Sequence, residues 1–443
     1  MQVDVAVIGG GVSGLAAARR LAGHGFSVAI LEARDRLGGR ILTVRRSDTP
    51  FPLELGAEFV HGMSPEIFAL PAPAFSLYET GGQTWTARHG NARPARDRDR
   101  DMGRVLEKID AWRGEDRSLQ SFLDDQVSGK LWARERRLIR DYVQGFDAAD
   151  PATVSIQWFA QSEKAAEKIE GDRQFRLTSG YSHLVFWLRD GLPADRTTVR
   201  LDTIVHDIHW TPGQVTIACH APSGEPLDPV TARAAVITLP LGVLTAPEGA
   251  VGAVRFDPAL SVKRAAYDNL AMGHVVKVLL RWRAPFWEKR TTGYPYLPRL
   301  SFLFAPDDAF RTWWTQYPLF APLLTAWIGG PRATPLIARA DADVVGDALD
   351  ALTRILGVSR MRLDADLDGW HMHNWGVDPF SRGAYSYVRV GGVASPRAAG
   401  EPVAATLFFA GEATNADGHT GTVHGAMATG YRVADEIKNL VHL

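Results

Sequence analysis

The sequence predicts an α/β protein of about two or three domains. Its 443 residues exceed one ordinary core, because domains usually run to roughly 100–200 residues. The chain opens with the short β-branched run at 3–8, which stops at three glycines, and apolar residues then take up helical spacing as far as Leu21. A strand, a glycine turn and a helix in this order are typical of an α/β nucleotide-binding unit.

Composition and charge exclude several classes of partner. The chain has 49 Lys and Arg against 50 Asp and Glu, so its formal net charge is −1 and no global field recruits nucleic acid or an anionic membrane. Pro and Gly interrupt the longest apolar stretch, at 234–246, so we expect no membrane-spanning helix. The single cysteine, Cys219, is expected in the core, and the chain opens without a basic leader segment. We therefore expect a cytoplasmic protein.

The first turn carries a dinucleotide fingerprint. Gly9, Gly11 and Gly14 fit the pattern G-x-G-x-x-G, in which the first glycine allows a tight turn, the second lets a pyrophosphate approach the backbone, and the third lets helix and strand pack closely. The helix that follows presents free N–H groups to the phosphates. Glu32 ends the second strand, where a carboxylate can accept hydrogen bonds from ribose hydroxyls. A purely structural glycine turn would leave Glu32 unexplained, so we predict dinucleotide binding.

The segment after Glu32 favours FAD over NAD. Residues 33–40 place a second pair of glycines and further arginines just past the acid. They would give a second set of backbone and guanidinium contacts to a pyrophosphate, which an NAD site does not need. The residues predicted to bind the cofactor in this region are Gly9, Gly11, Val12, Ser13, Gly14, Glu32, Ala33, Arg34, Gly39 and Arg40.

Several separated motifs resemble those of the flavin amine oxidases, the family of monoamine oxidases, polyamine oxidases and lysine-specific histone demethylases. The motifs follow the family's order over nearly the whole chain, at 9–40, 54–62, 273–278, 375–387, 409–414 and 421–426. The resemblance, which in the site residues is greatest to polyamine oxidases, implies an enzyme that oxidises an amine with FAD. The further cofactor contacts that it implies are Gly56, Ala57, Glu58, Val205, Trp375, Gly411, Glu412, Gly421, Thr422 and Val423.

The resemblance also implies how the flavin is held. In the family, the residue matching Glu412 touches the ribityl and phosphate region of the flavin, whereas an ordinary surface loop is the alternative here. The helix expected to begin near 420–423 would point N–H groups at flavin N1 and the C2 carbonyl, where negative charge collects on reduction. Ala384 stands where covalently flavinylated monoamine oxidases carry cysteine, so we expect non-covalent FAD.

Lys277 has two interpretations. A lysine flanked by valines in an apolar strand usually points to solvent from the polar face of a sheet. The family's matching lysine instead holds a water against flavin N5 and is linked with reoxidation by oxygen. On the resemblance, Lys277 is a predicted catalytic residue.

Three further catalytic residues are expected around the amine. Tyr385 resembles one wall of an aromatic cage that guides an amine to the flavin, and Thr422 stands at the opposite wall. His61 matches a histidine of animal and yeast polyamine oxidases and could hydrogen-bond an amine, although a histidine satisfied within its loop is the alternative. Glu58 could attract a distant ammonium or act as a structural carboxylate. The loop at 54–62 lacks the arginine with which amino-acid oxidases clamp a carboxylate.

The resemblance implies a Rossmann-type FAD-binding domain of three layers (GR2-type) and a discontinuous α+β substrate domain with an antiparallel sheet and a helical section. The tryptophan-rich part of the substrate domain, which includes Trp314 and Trp327, either lines a tunnel or fills the core. The alternating charges at 96–101 predict a solvated helix start. The sequence leaves open whether the protein forms a homodimer. The FAD-binding domain is expected at 1–80, 174–250 and 388–443, and the substrate domain at 81–173 and 251–387.

The expected reaction is hydride transfer from the carbon next to an amine nitrogen to flavin N5, followed by imine hydrolysis and reoxidation by O2 to H2O2. The sequence shows no Ser/His/Asp or metal-ligand cluster, which fits chemistry carried by the flavin. A polyamine or related amine is the expected small-molecule substrate. The enzyme alternatives are a monoamine oxidase and a flavin desaturase or isomerase acting on an apolar molecule, and a binding module stabilised by FAD is the non-enzymatic one.

Overall fold

Parallel strands form the centre of the larger sheet in the computed structural model, which describes residues 1–71, 75–95 and 98–440. Its central strands are runs of Val, Ile, Leu and Ala, and such runs are buried on both faces in parallel sheets. In spatial order the parallel strands are β10 (Thr197–Arg200), β2 (Val28–Leu31), β1 (Gln2–Ile8), β13 (Pro226–Ile237) and β22 (Leu407–Phe409).

Helices and antiparallel strands cover the two faces of this sheet. In β1, Val5 and Val7 pack against the helices, whereas Ala6 and Ile8 pack against the antiparallel strands in a core that also buries Cys219. The helices are α1 (Val12–Gly23), α7 (Ser182–Asp190) and α13 (Val423–Leu440), and the remaining strands of the sheet are β11 (Ile204–Thr211), β12 (Gln214–His220) and β14 (Arg255–Asp257). The predicted three-layer α/β architecture and the core position of Cys219 are confirmed.

A second large sheet carries the other side of the site. In spatial order its strands are β20 (Leu367–His371), β16 (Val275–Trp282), β19 (Leu323–Gly329), β18 (Thr312–Thr315), β17 (Leu300–Phe304), β7 (Gln83–Arg88) and β8 (Asn91–Pro94). Neighbours are antiparallel except for the parallel pair β17 and β7. Val276, Val278 and Leu280 of β16 face a core that the helices α10 (Asp341–Leu356) and α11 (Arg360–Asp366) help to cover. The strand's alternation therefore turns Lys277 to the opposite face.

The helical section predicted for the substrate domain is also present. Its helices are α3 (Arg98–Asp110), α4 (Leu119–Gln126), α5 (Ala133–Gly145) and α6 (Ile156–Lys168). Ser118 and Ser155 cap α4 and α6, because their hydroxyls accept hydrogen bonds from the N–H groups of Ser121 at 3.1 Å and Trp158 at 3.0 Å. The alternating charges at 96–101 lie outside the residues and side chains that the structure describes.

Three small sheets complete the strands, and two of them carry site residues, since His61 ends β5 (Val60–His61) and Tyr385 begins β21 (Tyr385–Val388). They pair β3 (Thr43–Arg46) with β4 (Thr49–Glu54), β9 (Gln174–Leu177) with β5 (Val60–His61) and β6 (Leu77–Glu79), and β15 (Leu270–Gly273) with β21 (Tyr385–Val388). The remaining α-helices are α2 (Pro65–Phe68), α8 (Leu241–Leu244), α9 (Ser261–Asp268) and α12 (Ser395–Gly400).

The chain passes between the two large sheets several times. Strands of the first sheet come from 1–80, 174–250 and 388–443, apart from β14, which pairs with β11. Strands of the second sheet come from 81–173 and 251–387. Among the helices of the described chain, none combines the length and the apolar character needed to cross a lipid bilayer.

Candidate active site

One large cavity lies between the two sheets and brings together nearly all the predicted site residues. Its volume is about 1050 Å³, at the upper end of the range for small-molecule pockets, roughly 300–1,000 Å³. The predicted catalytic residues line it, and so do all the predicted cofactor residues except Gly14. The cavity is therefore as large as the largest pockets that hold drug-sized ligands.

The glycine turn shapes the nucleotide end of the cavity. Gly9 has a φ of +104°, and a Cβ on it would lie 2.6 Å from Thr238 Oγ1. A Cβ on Gly14 would lie 2.0 Å from the carbonyl oxygen of Gly9, so Gly14 permits the close packing of α1 on β1. A Cβ on Gly11 would meet only the Cα of Gly39, at 3.9 Å. Gly11 therefore leaves the backbone open to a ligand.

Glu32 is buried at the same end. Its carboxylate accepts hydrogen bonds from the N–H groups of Gly10 at 2.7 Å and Arg34 at 3.0 Å. Burial raises the pKa of Glu32, against the smaller opposing effect of the nearby Arg34 charge. The first turn of α1 has no side-chain cap, because Gly11 occupies the cap position and leaves N–H donors free. The free donors, the open glycine and the acid fit the pyrophosphate and ribose of FAD.

The arginines predicted at the pyrophosphate are both paired with acids of the protein. Arg34 donates to Asp378 Oδ1 at 2.7 Å. Arg40 donates to Glu412 Oε1 at 2.9 Å and to the carbonyl oxygen of Ala384 at 2.8 Å. Both arginines line the cavity, so they hold its wall in place, and their contact with phosphate stays a prediction.

Glu412 connects three segments beneath the start of the last helix. Besides Arg40, its carboxylate accepts hydrogen bonds from the hydroxyl of Ser386 at 2.7 Å and from the N–H of Gly421 at 2.9 Å. Glu412 is buried, so the alternative of an ordinary surface loop is wrong. The residues at the start of α13 line the cavity, and the positive end of the helix dipole therefore faces it.

Lys277 is buried in an ion pair. Its side chain is 3% exposed, and its Nζ lies 2.7 Å from Oε2 of Glu58, which is also 3% exposed. The same Nζ donates to the carbonyl oxygen of Gly56 at 3.2 Å. The solvent-facing interpretation of Lys277 is therefore wrong, and the residue lines the cavity.

The sequence left two roles open for Glu58, attraction of a distant ammonium and a structural carboxylate. Its contacts fit the structural role. It accepts hydrogen bonds from Arg176 at 2.9 Å, Trp314 at 3.0 Å and Gln316 at 3.0 Å. Burial raises the pKa of Glu58, but the charges of Lys277 and Arg176 outweigh burial and lower it to about 2. Lys277, Glu58 and Arg176, here called the lysine cluster, contain two cations and one anion and so carry a net positive charge. Sequence motifs did not point to Arg176 or Gln316.

His61 and Tyr385 line the cavity and both contact Phe146. Nδ1 of His61 is buried and has no hydrogen-bond partner among the described residues, so the alternative of a histidine satisfied within its loop is wrong for this atom. Burial lowers the pKa of His61 to about 4, which keeps the imidazole neutral at pH 7. The hydroxyl of Tyr385 donates to the carbonyl oxygen of Phe146 at 2.6 Å, and the Phe146 ring meets His61 edge-on, with centroids 5.0 Å apart.

Thr422 stands in the cavity wall with its hydroxyl occupied. The hydroxyl donates to the carbonyl oxygen of His419 at 2.8 Å and accepts from the N–H of Gly425 at 3.0 Å. These bonds cap the start of α13. Thr422 therefore fixes the helix and shapes the wall, and its catalytic role stays a prediction.

The tryptophan-rich segment both lines the cavity and fills the core. Trp313 is completely buried in the core of the second sheet, whereas Trp314 and Trp327 line the cavity. Ala384 lines the cavity as well. The only cysteine, Cys219, lies outside the lining, so the chain offers no thiol there for a covalent bond to FAD.

The chain is similar to known proteins along nearly its whole length. The profile of the family described as flavin containing amine oxidoreductase matches residues 12–72 and 84–438. The chain is 28% identical to polyamine oxidase 4 of Oryza sativa subsp. japonica, over 99% of this chain and 89% of that protein. It is also 28% identical to lysine-specific histone demethylase 1 homolog 3 of Arabidopsis thaliana, but spans only 30% of that protein's length.

Solved structures show the same fold. Putrescine oxidase bound to putrescine has a TM-score of 0.79 with 21% identity, and the match covers 99% of both chains. Cyclohexylamine oxidase from Brevibacterium oxydans IH-35A has a TM-score of 0.78 with 23% identity, again over 99% of both chains. With the family profile matched along most of its length, the chain belongs to the flavin-containing amine oxidoreductases, and its cofactor is FAD.

Proposed function

We propose that the enzyme oxidises a polyamine or a related amine and passes the electrons to dioxygen, giving hydrogen peroxide. The observation that carries the amine part is the neutral His61, which contacts Phe146 as Tyr385 does, because it offers a polar contact for an uncharged nitrogen within an aromatic wall. The polyamine oxidases among the relatives support the substrate class.

The protein's own residues would select and orient the amine. FAD, when bound, supplies the two-electron oxidation at the carbon next to the nitrogen. The glycine turn, Glu32 and the start of α13 would hold it. His61 would hydrogen-bond the reacting nitrogen, while Tyr385 and Trp327 confine the carbon chain beside it. Because an unpaired buried charge is costly, the wall favours the uncharged form of this nitrogen. Water then hydrolyses the imine product.

Dioxygen as the electron acceptor rests on the lysine cluster. Two of the three N–H donors of Lys277 go to Glu58 and to the carbonyl oxygen of Gly56, which leaves one for a water in the cavity. The net positive charge of the cluster favours the negative charge that oxygen gains as it is reduced. Lys277 would therefore assist the oxidative half of the cycle more than the oxidation of the amine.

A monoamine oxidase is the second candidate, and a group of aromatic residues favours it. Phe59, Phe302 and Trp314 line the cavity with ring centroids 5.5–6.3 Å apart, and Nζ of Lys277 lies 5.8 Å from a Trp314 ring centroid. Such a wall suits an apolar substituent on a single amine. A desaturase or isomerase acting on an apolar molecule would leave His61 and Lys277 without a use.

Anaerobic bleaching of the bound flavin tests the proposal. The enzyme is mixed without oxygen with monoamines, diamines, spermidine, spermine and amino acids, and the loss of yellow colour is followed. We expect the fastest bleaching with a diamine or polyamine, and release of hydrogen peroxide in proportion to the amine consumed once oxygen is admitted. Faster bleaching by monoamines would favour the second candidate, and bleaching by no amine would refute both. The cytoplasmic location and a homodimer stay predictions from the sequence.

A further inference from the structure

A small second pocket, here called the rear pocket, adjoins the lysine cluster. Its polar lining consists of Glu54, Glu58, Tyr78, Arg176, Thr178 and Gln316. Of the two spaces, Lys277 lines only the main cavity and Arg176 lines only the rear pocket, whereas Glu58 lines both. Glu58 therefore forms part of the wall between the main cavity and the rear pocket.

The rear pocket has room for about one water and extends towards the protein surface. Its volume is about 10 Å³, which is close to the smallest space that holds a water. Thr178 in its lining is exposed to solvent, whereas Glu54 and Glu58 are buried. Buried waters are found in such polar surroundings, where several groups can hydrogen-bond them. The rear pocket therefore offers a path for a proton between solvent and Glu58.

Glu54 is a buried carboxyl group in the lining of the rear pocket. It accepts hydrogen bonds from the N–H of Tyr181 at 2.7 Å and from the hydroxyl of Thr43 at 2.8 Å. Burial raises the pKa of Glu54 to about 7, against the lowering effects of these two hydrogen bonds and of the charge of Lys277, and the charge of Glu58 adds to the rise. Glu54 can therefore hold a proton and release it near neutral pH.

The tyrosines and the second glutamate beside this carboxyl group do not exchange protons near pH 7. Burial raises the pKa of Tyr78 and that of Tyr181, so both phenols stay protonated. Against burial, the charges of Lys277 and Arg176 lower the pKa of Glu58 to about 2, so Glu58 stays ionised while both cations are present. If Lys277 gives up a proton, one of these two charges is lost, and Glu58 then binds a proton more readily.

We propose that Glu54 supplies, through a water in the rear pocket, the proton that replaces the one Lys277 gives to dioxygen during its reduction. This inference rests on the proposed function, since it assumes that dioxygen is the electron acceptor. Reduction of dioxygen to hydrogen peroxide takes up two electrons and two protons. The hydride equivalent removed from the amine carries both electrons and one proton, so one further proton must reach the oxygen.

The lysine cluster transfers this further proton. An N–H bond of Lys277 breaks as an O–H bond of the peroxide forms. The O–H bond of Glu54 breaks, the water in the rear pocket carries its proton to Glu58, and Glu58 returns it to Lys277 across the 2.7 Å that separates Oε2 from Nζ. Glu54 then takes a new proton from solvent on the side of Thr178, which leaves every group as it began.

The pH dependence of flavin reoxidation tests the role of Glu54. The flavin-loaded enzyme is reduced with light and without any amine, then mixed with oxygenated buffer in a stopped-flow instrument at pH values on both sides of 7, and the return of yellow colour is followed. We expect the rate to fall as pH rises through about 7, where Glu54 loses its proton. A rate that stays constant across this range in the unaltered protein would refute the inference without any variant.

Variants then assign the pH dependence to Glu54. Glu54→Gln should lower the rate below pH 7 by at least about tenfold and should abolish the fall near pH 7. The matched control is Glu163→Gln, because burial also raises the pKa of Glu163 to about 7 but Glu163 lines neither the main cavity nor the rear pocket. The control should leave the rate within about twofold and keep the pH profile. An unchanged profile in Glu54→Gln, or an equal change in Glu163→Gln, would contradict the inference.

Infrared spectra of the flavin-free protein give a readout that does not depend on turnover. The absorption of protonated carboxyl groups should decrease as pH rises through about 7, and subtracting the spectra of Glu54→Gln should isolate the part that belongs to Glu54. A difference that shows no carboxyl group titrating near pH 7 would overturn the inference. Failure of dioxygen to reoxidise the flavin at any pH would instead overturn the proposed function.

Discussion

Replacing Glu58 by glutamine tests whether the lysine cluster is held together by its central carboxylate. Glu58 and Lys277 are each 3% exposed and Arg176 is 4% exposed, so the substitution leaves two buried cations without their anion. Removing one partner of a buried ion pair typically costs about 3–5 kcal/mol in the free energy of unfolding. We expect Glu58→Gln to fall in this range, because its amide would also place a donor where Lys277 Nζ now lies 2.7 Å from Oε2.

A double-mutant cycle measures the coupling. Lys277→Met alone leaves Glu58 paired with Arg176 at 2.9 Å, so we expect a smaller loss, roughly 1–3 kcal/mol. In Glu58→Gln/Lys277→Met the two changes remove both members of the pair, and the combined loss should be at least about 1 kcal/mol less than the sum of the single losses. The assay is unfolding by guanidinium chloride in excess FAD, followed by intrinsic fluorescence.

The matched control is Glu79→Gln. It makes the same chemical change in a pair with Arg173 whose side chains are 46% and 36% exposed, where solvent screens the interaction and we expect little loss of stability. If Glu58→Gln cost no more than Glu79→Gln, or if the two losses in the cycle simply added, the cluster would not be the coupled unit described above.

Three further predictions concern the cofactor and the site. Lys277→Met should slow reoxidation of the reduced flavin by oxygen roughly 10- to 100-fold while flavin reduction by substrate changes little, and equal effects in stopped-flow traces would contradict the role given to Lys277. Gly11→Ala should weaken FAD binding without lowering the melting temperature of the apoprotein, whereas Gly14→Ala should lower that temperature, because its Cβ would lie 2.0 Å from the Gly9 carbonyl oxygen. Burial lowers the pKa of His61 to about 4 in the folded protein, whereas in the unfolded chain it is about 6.5. Between these two pH values the unfolded chain binds a proton that the folded protein does not. The free energy of unfolding therefore falls as pH falls from about 6.5 to about 4. His61 should account for about 1 kcal/mol of the loss between pH 7.5 and 5.5, and His61→Gln should lack that part when unfolding is measured at both values.

The parts of the fold that sequence could predict depend on neighbours in the chain. The glycine turn and the following helix are encoded within the first residues, and Gly9, Gly11 and Gly14 occupy the roles that the fingerprint gives them. The alternation of β16 is equally local, and it places Lys277 on the face opposite Val276 and Val278. The direction of that face, towards solvent or towards a cavity, depends on a second sheet and could not be decided from the strand itself.

The parts that sequence could not predict are contacts between distant segments. Trp314 and Gln316 lie 256 and 258 residues from Glu58 along the chain, and only the folded structure shows that they saturate its carboxylate. The hydroxyl of Thr422 is taken by its own helix start, a local bond that the family resemblance did not suggest.

Because the strands of the two sheets alternate along the chain, the protein cannot be divided into two contiguous fragments that each keep a whole sheet. The first sheet draws its strands from both ends of the chain and from its middle, and the second draws on the stretches between them. No single cut yields a self-contained half, since any contiguous piece would take strands away from one sheet or the other. Lys277 on β16 of the second sheet and Glu412 after β22 of the first sheet line the same cavity. The last helix, α13, also packs against the first, α1, so both ends of the polypeptide are needed to complete the cavity.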